Sequence, residues 1–340
     1  MTLLLKETKQ TPHPLEEILG FSLPPPGSPL RLRGRNYSMH GGILRAWGLV
    51  DRRLSDTSSF YDRHWKTPGA YDGEASDRFQ REVFADMFPI EDRPEIPDSS
   101  RVLDVGCGSG VAGRAFFHSN FSSLTYIGLD MSGAIDQARD DFERHDLPVG
   151  LVQCEAEAMP FADASFDVVF CPGVLHYSLD MHVTIQECRR VLKKEGLFIT
   201  WVYTEQKPIR KLTDDYLRSV ISNMPPEAGF EATKALTMLG IALGQIEEPL
   251  VIPHDIDCLG IKAGRYNLQR FFYYHIMKLF YNAELPLVRH VVNNWNAYSP
   301  KHVTFLPAQK IREYLDDFEP LLWKEGGNGV AAIMVNGRSG

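Results

Sequence analysis

A cluster of glycines after a short apolar run is the first sequence feature that could carry chemistry. The stretch "VLDVGCGSGVAGRAF", residues 102–116, places Gly106, Gly108 and Gly110 directly after Val-Leu-Asp-Val. Such a run is typical of a buried strand, a tight turn and the start of a helix. Glycines at the turn let the backbone approach a ligand closely. The stretch therefore predicts a site for a nucleotide-like ligand.

Acidic residues mark the ends of three successive predicted strands. Asp104 lies two residues before Gly106, Asp130 closes "YIGLD", and Glu155 follows "LVQC". A carboxylate in the position of Asp130 can accept two hydrogen bonds from a ribose diol. Glu155 can accept one from an exocyclic amino group. The acidic residues extend the predicted site from the glycine loop toward a nucleoside.

The glycine loop by itself fits two ligand classes. Gly108, Gly110 and Gly113 also satisfy the G-x-G-x-x-G spacing of dinucleotide-binding proteins. A dehydrogenase is therefore an alternative. It does not account for Asp104, for "EAEAMPF" at 155–161 or for "RRVLKKEGLF" at 189–198.

The ordered set of motifs resembles class I S-adenosylmethionine-dependent methyltransferases, with a methyltransferase type 11-like domain. The resemblance is carried by the D-x-G-x-G-x-G run, the acidic strand end, and the acidic residue before "AMPFADASFDVVF". It covers about residues 100–203 and the C-terminal hairpin. It implies S-adenosylmethionine as the cofactor.

The resemblance also implies roles for individual residues. The loop glycines would let the backbone run close to the methionine part of the cofactor. Asp104 would orient that loop and the cofactor's amino group, and Asp130 would hold the ribose hydroxyls. Met131 and Ala156 would flank the adenine. Glu155, where the family more often has aspartate, would reach the adenine amine. The implied cofactor-binding set is Asp104, Gly106, Cys107, Gly108, Gly110, Asp130, Met131, Glu155, Ala156 and Cys171.

Two candidate catalytic residues lie in "GVLHYSLD" after the predicted fourth strand of the core. Transfer of a sulfonium methyl group needs in-line placement and exclusion of water more than it needs a strong acid. His176 titrates near neutral pH and is the candidate base, and Tyr177 is a candidate for orienting the substrate. Because a base matters chiefly for hydroxyl or ammonium acceptors, its use stays open.

Alternating apolar strands and helical segments from Arg101 onward predict an α/β fold. We expect a Rossmann-like, doubly wound, mostly parallel seven-stranded sheet with an antiparallel last strand, plus a helical insertion. Loops after parallel strands share one edge, where such sheets bind ligands. The predicted parts are an N-terminal extension or flap (1–97), the cofactor-binding core (98–204), a helical insertion forming the substrate pocket (205–299), and the C-terminal completion of the sheet (300–340).

The extension resembles a degenerate zinc-ribbon-like element and its linker. The linker resemblance lies in "LRLRGRNYSMHGGILRAWG" and "SSFYDRHW", and the ribbon cysteines are absent, so we expect no metal. In the insertion, "YNLQRFFYYHIMKLFYN" has two apolar helical faces and predicts a helix buried on both sides. The candidate substrate-binding residues are Tyr61, Trp65, Tyr203, His275, Tyr298 and His302.

Composition narrows the partners and the compartment. The net charge of −8 argues against nucleic acid as the main partner, because phosphate binding depends on clustered Lys and Arg. Five cysteines without a C-x-x-C pair indicate neither a zinc site nor a disulfide framework, and they favour a reducing, cytoplasmic setting. No apolar run approaches the roughly 20 residues of a membrane span.

These observations predict a methyltransferase for an O, N or C atom of a small, partly apolar molecule, such as a secondary metabolite, a lipid-like compound or a glycan precursor. One alternative is an RNA or protein methyltransferase. Another is a cofactor-binding protein on the same fold that does not methylate. The sequence leaves the acceptor atom and the oligomeric state open.

Overall fold

The computed structural model describes residues 13–48, 54–71 and 73–337. The N-terminal extension contributes both helices and strands. Its elements are α1 (Pro14–Leu19), β1 (Pro29–Leu32), β2 (Arg35–His40), β3 (Ile43–Ala46), α2 (Leu54–Trp65) and α3 (Glu74–Met87).

The middle of the chain alternates between strands and helices. Its elements are β4 (Arg101–Val105), α4 (Val111–Phe116), β5 (Thr125–Asp130), α5 (Ala134–Arg144), β6 (Val149–Gln153), β7 (Phe166–Pro172), α6 (Met181–Val191) and β8 (Leu192–Tyr203). A short 3₁₀ turn, Leu175–Tyr177, follows β7.

Helices dominate the insertion, and a hairpin ends the fold. The insertion contains α7 (Pro208–Ile221), α8 (Pro226–Gly244), β9 (Leu250–Ile252), β10 (Gly264–Tyr266), α9 (Leu268–His275) and α10 (Leu287–Tyr298). The remaining elements are α11 (Ala308–Tyr314), β11 (Glu319–Gly326) and β12 (Gly329–Val335).

One central sheet organises the molecule, in the order β1-β2-β3-β6-β5-β4-β7-β8-β12-β11. The run from β3 to β8 is parallel, and β12 is antiparallel to both β8 and β11. The chain builds outward from β4 in one direction and from β7 in the other. The predicted doubly wound, mostly parallel sheet with an antiparallel last strand is thus confirmed.

The predicted number of seven strands is wrong, because the described part of the chain contributes ten strands to this sheet. The additional strands β1, β2 and β3 form an antiparallel meander whose last member pairs in parallel with β6. An uncovered β6 would present a row of unpaired backbone groups, and the meander occupies that edge. The extension therefore extends the sheet with its strands, while α2 and α3 lie beside the ligand edge.

Two tight turns in the extension indicate β-hairpins, which the sequence prediction did not include. Arg33-Gly34 and Gly41-Gly42 each connect paired strands through two residues, and all four have positive φ. Two-residue loops of this conformation are the favoured hairpin connections. The zinc-ribbon-like origin of the extension stays a prediction.

Two predicted helices end earlier than expected. The segment "MHVTIQECRRVLKKEG", residues 181–196, predicts one helix, but α6 ends at Val191, and Leu192 already pairs with Phe166 of β7. The long helix predicted across residues 266–282 ends at His275. Apolar residues continue past His275 because the segment after this helix is also at least half-buried, so the pattern alone does not locate the end of the helix.

Gly113 of α4 is needed for close packing between that helix and the sheet. A Cβ atom built on Gly113 would lie 2.0 Å from the Tyr126 hydroxyl and 2.6 Å from Asp104 Oδ2. Both partners are buried and hydrogen-bonded to each other, so neither can move aside cheaply. A side chain at this position must therefore displace α4 or break that hydrogen bond.

We expect Gly113→Ala to lower the free energy of unfolding by about 1–3 kcal/mol, the usual cost of overpacking. The higher helix propensity of alanine works against this loss by about 1 kcal/mol. Gly326→Ala is the control, because its Cβ would contact nothing within 4 Å. Urea unfolding measures both variants, and a Gly113→Ala protein as stable as the wild type would contradict the packing argument.

Candidate active site

A cavity of about 640 Å³ lies at the edge where the parallel strands end. The loops after β4, β5, β6 and β7 form one side of it. Helices α2, α3 and α10 form the other side, together with the segment after α9 and the turn between β11 and β12. The loops from both halves of the doubly wound sheet therefore meet the insertion in one space.

Asp130, at the end of β5, ties the loops of this edge together. Its Oδ2 accepts the backbone N–H of Gly108 at 2.9 Å, and its Oδ1 accepts the backbone N–H and the hydroxyl of Ser132 at 2.7 and 2.6 Å. Burial raises the pKa of this carboxyl above its ordinary value. A carboxylate has about four acceptor positions, so these three donors leave room for one further donor from the cavity.

The glycine loop is in contact with side chains on both sides. A Cβ atom on Gly106 would lie 2.3 Å from Val174 Cγ2, and one on Gly108 would lie 2.6 Å from the indole of Trp65. Both glycines have positive φ, a region that disfavours other residues. Trp65 of α2 thus covers Gly108, while Gly106 faces the cavity.

Asp104 lies under the loop and does not line the cavity. Its carboxylate accepts a hydrogen bond from the Tyr126 hydroxyl, and its side chain is buried. Burial, together with the charge of the nearby Asp130, raises the pKa of Asp104 to about 7. In this position Asp104 supports the strand end from behind.

The N-terminal extension supplies a partner for Glu155. Arg35 of β2 forms an ion pair with Glu155 Oε2, and the carboxylate is almost fully buried. Glu157, two residues later, lines the cavity instead, where burial raises its pKa. Sequence reasoning missed Glu157, although "EAEAMPF" offers both carboxylates.

The structure divides the predicted residues into two groups. Those that line the cavity are Gly106, Cys107, Asp130, Met131, Ala156, Tyr177, Tyr61, Trp65 and Tyr203. Those that do not are Asp104, Gly108, Gly110, Glu155, Cys171, His176, His275, Tyr298 and His302. In the second group Cys171 and Tyr298 are fully buried, His302 is exposed, and His275 contacts Lys207 Nζ at 3.4 Å.

Tyrosine hydroxyls form a hydrogen-bonded group on the aromatic wall. Tyr61 donates to Asn296 Oδ1 at 2.9 Å, and Tyr177 donates to the same oxygen at 3.4 Å. Burial raises the pKa of both phenols well above the ordinary value. They therefore stay protonated at neutral pH and can orient a substrate but not remove its proton.

His176 lies behind Tyr177 and Tyr203, whose ring centroids are each 4.3 Å from its own. Its Nδ1 accepts the backbone N–H of Tyr203 at 3.2 Å. Burial, with Lys278 nearby, lowers the pKa of His176 well below its ordinary value. The imidazole is thus neutral, and its accepting nitrogen faces the backbone. A catalytic role for His176 stays a prediction.

Polar residues on the insertion side complete the cavity, and sequence reasoning missed their role. Lys278 follows α9, and Arg289, Asn293 and Asn296 follow one another along α10. The spacing of Arg289, Asn293 and Asn296 places them on one helical face. Polar residues at this spacing in the apolar segment "PLVRHVVNNWNAY" were the available signal.

Residues 103–200 match the family model described as a methyltransferase domain. The matched segment runs from β4 almost to the end of β8 and includes the glycine loop and all three acidic strand-end residues. Residues 103–200 of this chain form a methyltransferase domain. The match also covers "EAEAMPF" and "RRVLKKEGLF", the two segments that the dinucleotide alternative leaves unexplained.

Curated relatives share this domain. The chain is 35% identical over 113 residues to the fatty-acid O-methyltransferase of Mycolicibacterium smegmatis, covering 33% of this chain and 39% of that protein. It is 31% identical over 149 residues to the malonyl-[acyl-carrier protein] O-methyltransferase of Legionella pneumophila, covering 42% and 48%. The chain thus spans less than half the length of either relative.

A solved structure also aligns with this chain. The PH0226 protein of Pyrococcus horikoshii OT3 covers 80% of this chain and 98% of its own, with a TM-score of 0.43 and 15% identity.

In residues 13–48, 54–71 and 73–337, no group of three or more His, Cys, Asp or Glu side chains is arranged to hold a metal ion. Within the same ranges, no helix has the length and apolar character that crossing a membrane requires.

His64 of α2 is a buried titratable group of the cavity wall. Its ring pairs with the Tyr71 hydroxyl. Burial, together with the charges of Arg289 and Lys278, lowers the pKa of His64 to about 3. Between pH 6.5 and 3, the unfolded chain, whose histidine has an ordinary pKa near 6.5, binds a proton that the folded chain does not bind. Stability must therefore fall as the pH falls through this window.

We expect the wild type to lose about 2 kcal/mol more stability between pH 7 and pH 5 than His64→Gln does. Glutamine keeps a polar partner for Tyr71 but has no proton to bind. The comparison with the variant cancels other titrating groups, such as Asp104 and His176, which both proteins retain. Urea unfolding at both pH values measures the difference, and equal losses would contradict the buried neutral state of His64.

Proposed function

We propose that this protein transfers a methyl group from S-adenosylmethionine to an O, N or C atom of a small, partly apolar molecule. A secondary metabolite, a lipid-like compound or a glycan precursor fits this description. The carrying observation is that one cavity joins the loop residues Gly106, Asp130 and Met131 to aromatic side chains of α2, β8 and the insertion. A cofactor and a small acceptor would meet inside it.

The residues of the strand edge fit the cofactor. Asp130 has an acceptor position available for a ribose hydroxyl, and Met131 and Ala156 both line the cavity where the adenine would lie. Gly106 lines the cavity where the methionine part would lie, and a side chain at this position would clash with Val174. When bound, S-adenosylmethionine supplies an electrophilic methyl group.

The rest of the cavity orients the acceptor and excludes water. Tyr61 and Tyr177 stay protonated and donate their hydroxyl protons to Asn296, so their oxygens can accept a hydrogen bond from a polar group of the acceptor. Trp65 packs over the glycine loop and shields the cofactor side from solvent. Orientation and desolvation are the contributions that a transfer from an already reactive donor requires.

The names of the relatives support a small acceptor. A fatty acid and a malonyl group on an acyl carrier protein are the substrates that those names state. An apolar cavity between the sheet edge and a helical insertion suits such chemistry better than it suits a folded RNA. A cytoplasmic location and the absence of a nucleic-acid partner stay predictions.

Calorimetric titration with S-adenosylmethionine and its demethylated product tests the cofactor assignment. We expect the wild type to bind both in the micromolar range and Asp130→Ala to bind about tenfold more weakly or not at all, because it lacks the ribose acceptor. Asp130→Asn is the second variant, since it keeps the side-chain volume. Asp92→Ala, at an exposed carboxylate outside the cavity, is the control.

The same titration discriminates the dinucleotide alternative. Binding of a nicotinamide dinucleotide by the wild type, with no binding of S-adenosylmethionine, would contradict the proposed function. Circular dichroism of each variant shows whether a lost signal reflects the site or the fold.

A further inference from the structure

Lys278 places a buried positive charge against the cavity. Its side chain is only 8% exposed, and its Nζ donates to the Tyr203 hydroxyl at 3.1 Å. Among the residues that the structure describes, no carboxylate lies within ion-pair distance of this ammonium. Asp214 of α7 contacts the backbone of this segment, but it accepts from the Lys278 backbone N–H, from Arg210 Nε and from the Tyr298 hydroxyl. Asp214 is therefore committed to other donors.

Arg289 adds a second buried cation on the same side. The residue is 3% exposed, and its guanidinium lies 4.0 Å from the ring centroid of Tyr71. Its terminal nitrogens donate to the Ala70 carbonyl at 3.4 Å and to Gln80 Oε1 at 3.2 Å, both neutral acceptors. Its Nε has no hydrogen-bond partner in the described part of the chain, although that atom is buried.

Asn293 lies one helical turn after Arg289 and also lines the cavity. Its Nδ2 is another buried donor with no partner among the described residues. Lys278 and Arg289 both line this cavity, as His64 does. The insertion side thus presents positive charge and unused donors together.

This arrangement is costly unless a ligand completes it. Burying an ionised group without a counter-charge, or a donor without an acceptor, costs free energy that a matching ligand recovers. His64 adds no charge, because it is neutral near pH 7. Asp86 at the cavity mouth is 91% exposed and lies near Lys324. The missing component is therefore an acceptor-rich anion.

We propose that the methyl acceptor carries an anionic oxygen group, a carboxylate or a phosphate, which binds to Lys278, Arg289 and Asn293. This inference rests on the proposed function and adds the class of acceptor. Arg and Lys heads both form strong, charge-assisted hydrogen bonds with such groups. The aromatic walls would hold the apolar remainder of the acceptor.

Two fluorescent dyes with the same ring system test the charge preference. The probes are 1-anilinonaphthalene-8-sulfonate and the uncharged N-phenyl-1-naphthylamine, each titrated into protein saturated with the demethylated cofactor. We expect the sulfonate to bind the wild type more tightly than the neutral dye. Lys278→Met and Asn293→Leu should each weaken the sulfonate about tenfold and leave the neutral dye unchanged within about twofold.

Lys301→Met is the matched control, because it removes an exposed lysine outside the cavity. It should change neither dye. Arg289→Gln is a third variant, judged only if its thermal unfolding matches that of the wild type. Equal binding of the two dyes to the wild type, or sulfonate binding that Lys278→Met and Asn293→Leu leave unaltered, would overturn the proposal.

Displacement of the sulfonate identifies the anionic group. Displacement by dodecanoate supports a carboxylate, and displacement by dodecyl phosphate supports a phosphate. Dodecanol that competes equally well would overturn the anion preference. Titration with the demethylated cofactor in the same samples separates the two proposals: its failure in the wild type removes the proposed function, whereas dyes without a charge preference remove this inference alone.

Discussion

The hydrogen bonds of the Asp130 carboxylate are the interaction on which the ligand edge depends. One carboxylate, at the end of β5, fixes the loop after β4 through Gly108 and its own following turn through Ser132. Parallel strands bring these loops to one edge, but local hydrogen bonds such as these set the distance between them. Because the Asp130 carboxylate is buried, its hydrogen bonds are stronger than the same bonds would be in water.

The positions of α2 and of the helical insertion depend on these hydrogen bonds of Asp130. Trp65 contacts Gly108 directly, so the position of α2 follows the position of the loop. From α2, Tyr61 reaches Asn296 of α10, and His64 reaches Tyr71. The helical insertion is thereby linked to the sheet edge through aromatic and polar contacts. The cavity has an acidic end at Asp130 and Glu157 and a cationic end at the insertion.

The sequence was most informative where backbone geometry dictates residue type. Positive φ at Gly106, Gly108 and Gly110 requires glycine, and the strand-end position of Asp130 follows from the parallel sheet. Contacts between distant segments left weaker signals. The ion pair between Arg35 and Glu155 joins residues 120 positions apart, and no local pattern predicts it.

The sequence predicted neither the sheet strands of the extension nor the polar face of α10 in the insertion, for two different reasons. The meander at the sheet edge was signalled by two-residue turns, but nothing local states which strand it joins. The polar face of α10 was visible as Arg289, Asn293 and Asn296, but its meaning depends on which surface the helix packs against. The most direct test of the account is incubation of the protein with deuteromethyl-labelled S-adenosylmethionine and a fractionated cell extract, followed by mass spectrometry. We expect a labelled small molecule that bears a carboxylate or phosphate, that forms only in the presence of the protein and that Asp130→Ala does not produce. Label confined to RNA or protein, or no labelled product despite cofactor binding, would contradict the account.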